Sequence, residues 1–204
     1  MCRQPDLISF AGDSADVSAL LEALPPCPSM AQVATAACPL VLGGDALSLS
    51  GNYTREARPA FHCGRLSFTA FAFPEEWQGR PVPQMEPFLQ TDAERFGPTP
   101  TGQSPYGYTR PDAARMLTSD AVSVLLEACD RRFQQHQPLT GERVQQALLQ
   151  MNGKQAWQGI TRMIAFGSDG NVCNKPVLLL HLDQRGHTQI EQVWGCLLKA
   201  QCEA

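Results

Sequence analysis

The alternation of apolar and polar positions marks out a short series of elements. Leu7 to Phe10 is an apolar run that Gly12 breaks, and Val17, Leu20, Leu21 and Leu24 follow at helical spacing. Asp13 or Ser14 can cap that helix, and Pro25 and Pro26 end it, because proline lacks the amide donor and clashes with the preceding turn. A second apolar run, Pro39 to Leu42, ends in Gly43-Gly44-Asp45. The pattern predicts a strand, helix, strand unit of the kind that builds parallel sheets. Leu66 to Phe73 reads as a buried strand closed by Pro74. The stretch 74–111 carries eight prolines and reads as a crossover, with one short helix around Met85 to Phe96. From Pro111 to Phe133 the pattern is helical, with Ala114, Leu117, Ala121, Val124, Leu125 and Ala128 as the apolar stripe and Asp120, Glu127 and Arg131 off it. Thr140 caps a further helix that has Val144, Ala147, Leu148 and Met151 on one face and is ended by Gly153. Ile160 to Phe166 reads as a strand leading into a turn at 167–171. Val177 to Leu182 and Gln189 to Trp194 flank Asp183 to His187 as a hairpin. There is no internal repeat.

Composition narrows the picture. The chain has 204 residues, 43% hydrophobic and 18% charged, which suits one globular domain or two small lobes. The net charge of -4, without long charged runs, gives no reason to expect nucleic acid or an anionic membrane surface as a partner. The N-terminal residues show no signal-peptide pattern, and no apolar stretch reaches membrane-spanning length. Eight cysteines lie at irregular spacing with no Cys-x-x-Cys, so free or buried thiols are expected. Cys27–Cys38 is the first candidate bridge and Cys196–Cys202 the second. His62-Cys63 with Cys38 matches no structural zinc pattern. Asp169-Gly170-Asn171 lacks the further acidic ligands of a calcium loop. No metal or cofactor is therefore expected. Trp77 reads as a packing residue, and the glycosylation pattern Asn52-Tyr53-Thr54 is too short to carry weight alone.

Parallel sheets bind ligands beyond the carboxyl ends of their strands. Here those ends hold Gly12-Asp13-Ser14 and Gly43-Gly44-Asp45. Asp45 can serve either as a turn residue or as a carboxylate for a cationic group. Asp13 and Ser14 read first as helix caps and second as ligand contacts. The Gly12-Asp13-Ser14 block is also similar to the start of GDSL-type esterases, with Ser14 as nucleophile. Such enzymes need a late Asp-x-x-His to activate the hydroxyl, and Asp183 and His187 are one residue too far apart.

The order of elements resembles the type 1 periplasmic binding proteins, specifically the leucine/isoleucine/valine-binding family of ABC-transporter solute receptors, over the later half of such a receptor. Six stretches carry the resemblance: Asp6 to Leu24, Pro39 to Leu49, Leu66 to Pro74, Tyr106-Gly107-Tyr108 through Cys129, Leu139 to Leu148, and Trp157 to Asn171 with its closing aspartate-glycine turn. The resemblance implies an α/β fold: a parallel-sheet periplasmic-binding-protein type 1 lobe with returning helices, the first lobe largely absent. It divides the chain into a second-lobe strand/helix/strand core at 1–74, the proline-rich crossover at 75–111, helices at 112–151 that resemble those returning to the first lobe, and C-terminal strands and a hairpin at 152–204. It implies a non-enzymatic receptor, or a truncated portion of one, that closes on an amino acid or similar small solute, outside the cytoplasm, and serves a membrane permease. By position Asp45 would meet the ligand ammonium, with Gly44 in the same loop. Asp13 and Ser14 stand where relatives often place an aromatic residue, which favours a polar or cationic ligand. The helices at 112–151, without a first-lobe sheet to cover, need another partner or associate with one another. A ligand-free sensory or interaction module is the remaining alternative.

Overall fold

The computed structural model describes residues 7–24, 39–48, 65–73, 82–97, 111–173, 175–182 and 188–195. Both candidate cysteine bridges, the His62-Cys63 pair with Cys38, Asn52 to Thr54, Trp77, Tyr106 to Tyr108 and Asp183 to His187 lie outside these residues. The chain divides into two compact units. One comprises Met1–Ala70 with Leu178–Val193, and the other Phe71–Val177 with Trp194–Ala204.

The first unit is built on β1 (Leu7–Phe10), α1 (Ser14–Ala23), β2 (Leu40–Gly43) and β3 (Leu66–Ala70). β1 and β2 run parallel, with Leu7 opposite Leu40 and Phe10 opposite Gly43. β2 and β3 also run parallel, with Val41 opposite Leu66. The expected parallel unit is present, and the complete sheet is mixed. Its order is β1-β2-β3-β7-β8, where β7 (Val177–Leu182) lies antiparallel to β3 and β8 (Thr188–Trp194) takes the far edge. Alternation decides which face is dry, because successive side chains in a strand point to opposite sides. Val41, Leu66, Phe68, Leu178, Leu180 and Leu182 are buried, while Leu179 and His181 are only partly so. On α1, Val17 and Leu21 are buried and Leu20 and Leu24 half-buried. The predicted strand at 66–73 stops at Ala70, and Ala72 instead enters the core of the second unit.

The second unit contains α2 (Met85–Phe96), α3 (Ala113–Gln134), α4 (Gly141–Leu149) and three short antiparallel strands, β4 (Trp157–Gln158), β5 (Met163–Phe166) and β6 (Val172–Cys173). Pro87 falls in the first turn of α2, where its missing amide hydrogen leaves no helical bond unmade. One apolar cluster joins Ala72, Val82, Met85, Met116 and Ile160. A second joins Val124, Ala128, Ala147, Met151 and Ile164. Thr140 caps α4 as expected, its hydroxyl accepting from the Arg143 amide. The strand expected from Ile160 begins only at Met163, because residues 160–162 form a turn.

The face of α3 differs in part from expectation: Val124 and Ala128 are buried and Leu117 packs against the first cluster, as the stripe predicts, but other positions depart from it. Its buried positions are Met116, Asp120, Val124, Ala128 and Arg132, spaced by four, whereas Ala114, Ala121 and Leu125 are exposed. Two polar side chains therefore lie in the stripe. Burial of polar groups is tolerated when each finds partners, and both do. The Asp120 carboxylate accepts from the backbone amides of Ile160 (2.7 Å) and Thr161 (2.9 Å) and from the Thr161 hydroxyl. It approaches so closely that a Cβ on Gly159 would lie 2.5 Å from its Oδ1, so a glycine is required there. Arg132 donates to the carbonyl of Arg143 and to the side-chain oxygens of Gln135, Gln137 and Gln150. On the opposite side Val122, Leu125, Leu126 and Phe133 face solvent, Leu126 being 63% and Phe133 73% exposed.

Candidate ligand-binding site

The parallel register places the carboxyl ends of β1 and β2 side by side, since Phe10 pairs with Gly43. Neighbouring strands lie roughly 5 Å apart, so the turns that leave them are adjacent. One is Ala11-Gly12-Asp13 entering α1. The other is Gly44 entering a single-turn 3-10 helix, Asp45–Ser48.

Packing fixes the second turn from below. Leu47 is fully buried, and its amide donates to the Gly44 carbonyl at 3.2 Å. A Cβ on Gly43 would overlap the Leu47 side chain, so a larger residue there would have to displace that buried leucine. The turn contacts both α1 and β3. Gly44 itself has open space around its Cα, where a Cβ would meet nothing within 4 Å. A bound group could approach the backbone there.

The four residues singled out from sequence have different local roles. Asp13 is the N-cap of α1, its Oδ1 accepting from the amides of Ala15 (2.8 Å) and Asp16 (3.1 Å). That satisfies two of the amides a helix start leaves without intrahelical partners. Ser14 is the first residue of the helix. Gly44 and Asp45 are exposed, and no hydrogen bond or ion pair among the described residues engages the Asp45 carboxylate. Asp16, exposed in the first turn of α1, adds a third carboxylate to this edge. Its position in the first helical turn was the available sequence signal, since acidic residues favour helix starts. The edge is thus anionic, with one committed carboxylate and two free of partners among the described residues. Such a surface suits a cationic group.

In open water a single ammonium-carboxylate contact contributes about 0–1 kcal/mol. Micromolar affinity corresponds to about 8 kcal/mol, so this edge can serve as one contact among several, in a site that excludes water.

Among the described residues, no group of three or more histidine, cysteine, aspartate or glutamate side chains is arranged to hold a metal ion. Cys129 and Cys173 are free thiols. Asp169 closes the turn after β5. The Asn171 side-chain amide and backbone amide both donate to it and hold its carboxyl below the usual aspartate value. The residues 167–171 make the expected turn.

Neither a family model nor a curated protein sequence matches the chain. Solved structures do. The chain is similar to an ABC transporter substrate-binding protein from Desulfitobacterium hafniense, with a TM-score of 0.57 at 18% identity, over 91% of this chain and 43% of that one. It is similar to an amino acid ABC transporter substrate-binding protein from Pseudomonas fluorescens Pf-5, with a TM-score of 0.59 at 12% identity, over 97% and 46%. A substrate-binding protein of an ABC transporter from Aeropyrum pernix gives 0.53 at 13% identity, over 96% and 47%. The likeness is one of fold: a mixed α/β arrangement shared with substrate-binding proteins, spanning less than half the length of each. The esterase alternative finds no counterpart among these structures.

Proposed function

We propose that the chain is a solute-binding receptor, or the later portion of one, for an amino acid or a similar small polar or cationic ligand, acting with an ABC-transporter permease outside the cytoplasm. The observation that carries this reading is the exposed Asp45 carboxylate, without a partner among the described residues, beside Gly44 at the carboxyl edge of two adjacent parallel strands. Support also comes from the fold shared with substrate-binding proteins, one of which is described as serving amino acids. In this reading residues 1–74 supply the second-lobe core, 75–111 the crossover, 112–151 the helices that return to a first lobe, and 152–204 the closing strands. Asp45 meets the ligand ammonium, Gly44 lets the ligand approach the backbone, and Asp13 and Ser14 line the neighbouring turn.

The test is thermal unfolding of the purified chain against a panel of amino acids and small cationic solutes at high concentration. A ligand at a hundred times its dissociation constant stabilises by about 2.7 kcal/mol. One solute is expected to raise the midpoint, and Asp45→Ala is expected to remove that rise while leaving the ligand-free midpoint in place, because Asp45 is exposed. A response that survives Asp45→Ala would move the site elsewhere. The absence of any response across the panel would refute binding by this chain.

The apolar outer face of α3 belongs to the same reading. With Val122, Leu125, Leu126 and Phe133 in water, the chain is expected to self-associate as its concentration rises. Leu126→Glu should return it to a monomer in sedimentation experiments. A wild-type chain that stays monomeric at high concentration would rule this out.

A further inference from the structure

Residues 151–156, which follow α4, contain the only Asn-Gly pair in the chain, Asn152-Gly153. Both residues are exposed, as are Lys154 and Gln155 of the short 3-10 turn Gly153–Gln155. Gly153 sits at φ +47 with open space around its Cα, and no backbone hydrogen bond among the described residues is donated by its amide. The Asn152 side-chain amide donates to the carbonyl of Leu149, the last residue of α4, at 2.8 Å.

An asparagine followed by glycine can react with its own backbone. The glycine nitrogen has no side chain to shield it, and glycine accepts backbone angles that ring closure demands. We propose that Asn152 is a site of spontaneous deamidation, and that its conversion loosens the end of α4. The Gly153 nitrogen bonds to Asn152 Cγ, the Cγ–Nδ2 bond breaks, and the side-chain nitrogen leaves as ammonia with the proton from Gly153. Water then opens the five-membered imide at either carbonyl, giving aspartate or isoaspartate. No oxidant or reductant enters.

The other exposed pairs of this type are held differently. At Asp169-Gly170 the glycine amide donates to the Gly167 carbonyl at 3.0 Å, and both carboxylate oxygens accept from Asn171. An ionised carboxylate is also a poor electrophile, and Asp169 is held in that form. Asn171 precedes Val172, whose branched side chain shields its nitrogen. At Asn152 ring closure must turn the following peptide from ψ 166 and release the Gln155 amide from the Asn152 carbonyl, 2.8 Å away. The rate in the folded chain therefore follows a local opening of an exposed single turn.

The product has a structural consequence. A carboxylate at 152 cannot donate to the Leu149 carbonyl, and its charge lies at a helix C-terminus, where negative charge is unfavourable. Isoaspartate also inserts a methylene into the backbone between residues 152 and 153, one residue beyond Met151, a buried member of the second apolar cluster.

The full chain is held at physiological temperature and mildly alkaline pH and sampled by peptide mapping with enzymatic labelling of isoaspartate. The amide-to-acid mass change is expected first in the peptide holding Asn152, ahead of Asn52, Asn171 and Asn174, with the unfolding midpoint falling as it accumulates. Asn152→Gln should abolish both changes. A genetically encoded Asn152→Asp should show the lower midpoint from the start. Conversion at another asparagine first, or an unmodified Asn152 while the denatured chain converts, would overturn the site. An Asn152→Asp midpoint equal to wild type would overturn the loosening.

Discussion

Asp120→Ala is expected to destabilise the protein by about 3–5 kcal/mol. The carboxylate is buried in the middle of α3 and accepts three hydrogen bonds from two consecutive residues, Ile160 and Thr161, themselves buried. Truncation leaves two amides and a hydroxyl away from water without an acceptor. Each such group costs roughly 1–3 kcal/mol when unsatisfied, and the three are not additive because the turn can partly relax. Asp120→Asn retains the shape and one acceptor oxygen but points an NH2 group toward a donor, so about half of the loss is expected to remain. Urea unfolding followed by tryptophan fluorescence tests this, since Trp157 packs against the second apolar cluster, a few residues before the clamped turn. Glu127→Ala on the same helix is the control. Its ion pair with Arg131 is solvent-accessible and contributes at most about 1 kcal/mol. If Asp120→Ala shifted stability no more than Glu127→Ala does, the carboxylate would not be holding the turn.

Asp120 also shows where sequence reading stops. A pattern of apolar positions finds a helix because packing repeats at 3.6 residues, and α1, α2, α3 and α4 all lie where the pattern puts them. It assigns the buried face by assuming that polar side chains point to water. That assumption fails on α3, because the partners of Asp120 lie forty residues downstream and those of Arg132 include residues across α4. No local window holds that information. The same distinction runs through the candidate site. The capping role of Asp13 involves only residues two and three positions ahead, so it is legible. The adjacency of the two turns follows from a strand, helix, strand unit, so it is legible too. The antiparallel placement of β7 against β3 depends on strands remote in sequence, and Ser67 opposite His181 carries no mark of it. Asp45 could be recognised as a turn residue. That it lacks partners among the described residues, while Asp13 is committed, becomes visible only in three dimensions.

Arg132→Ala is the second large effect, expected to cost about 2–4 kcal/mol. The guanidinium is buried near the end of α3 and reaches four acceptors: the Arg143 carbonyl at 3.0 Å, Gln135 and Gln137 in the link to α4, and Gln150 at the end of α4. It joins the end of one helix, the connection and the C-cap residue of the next. All four acceptors are neutral, so the gain comes from hydrogen-bond geometry on a charge that must be solvated by oxygen atoms. Lysine cannot substitute. Its ammonium is a compact point charge with three donors and cannot span acceptors on opposite sides of a planar fork. Arg132→Lys is therefore expected to recover less than half of the loss, although it preserves the charge. Arg132→Met, which keeps stem volume and removes the charge, isolates the packing contribution of the stem. Urea midpoints of the three variants order the cases. Full recovery by lysine would mean that charge alone holds the two helices. A methionine variant as stable as wild type would mean that the stem packing suffices and that the four oxygens contribute nothing net.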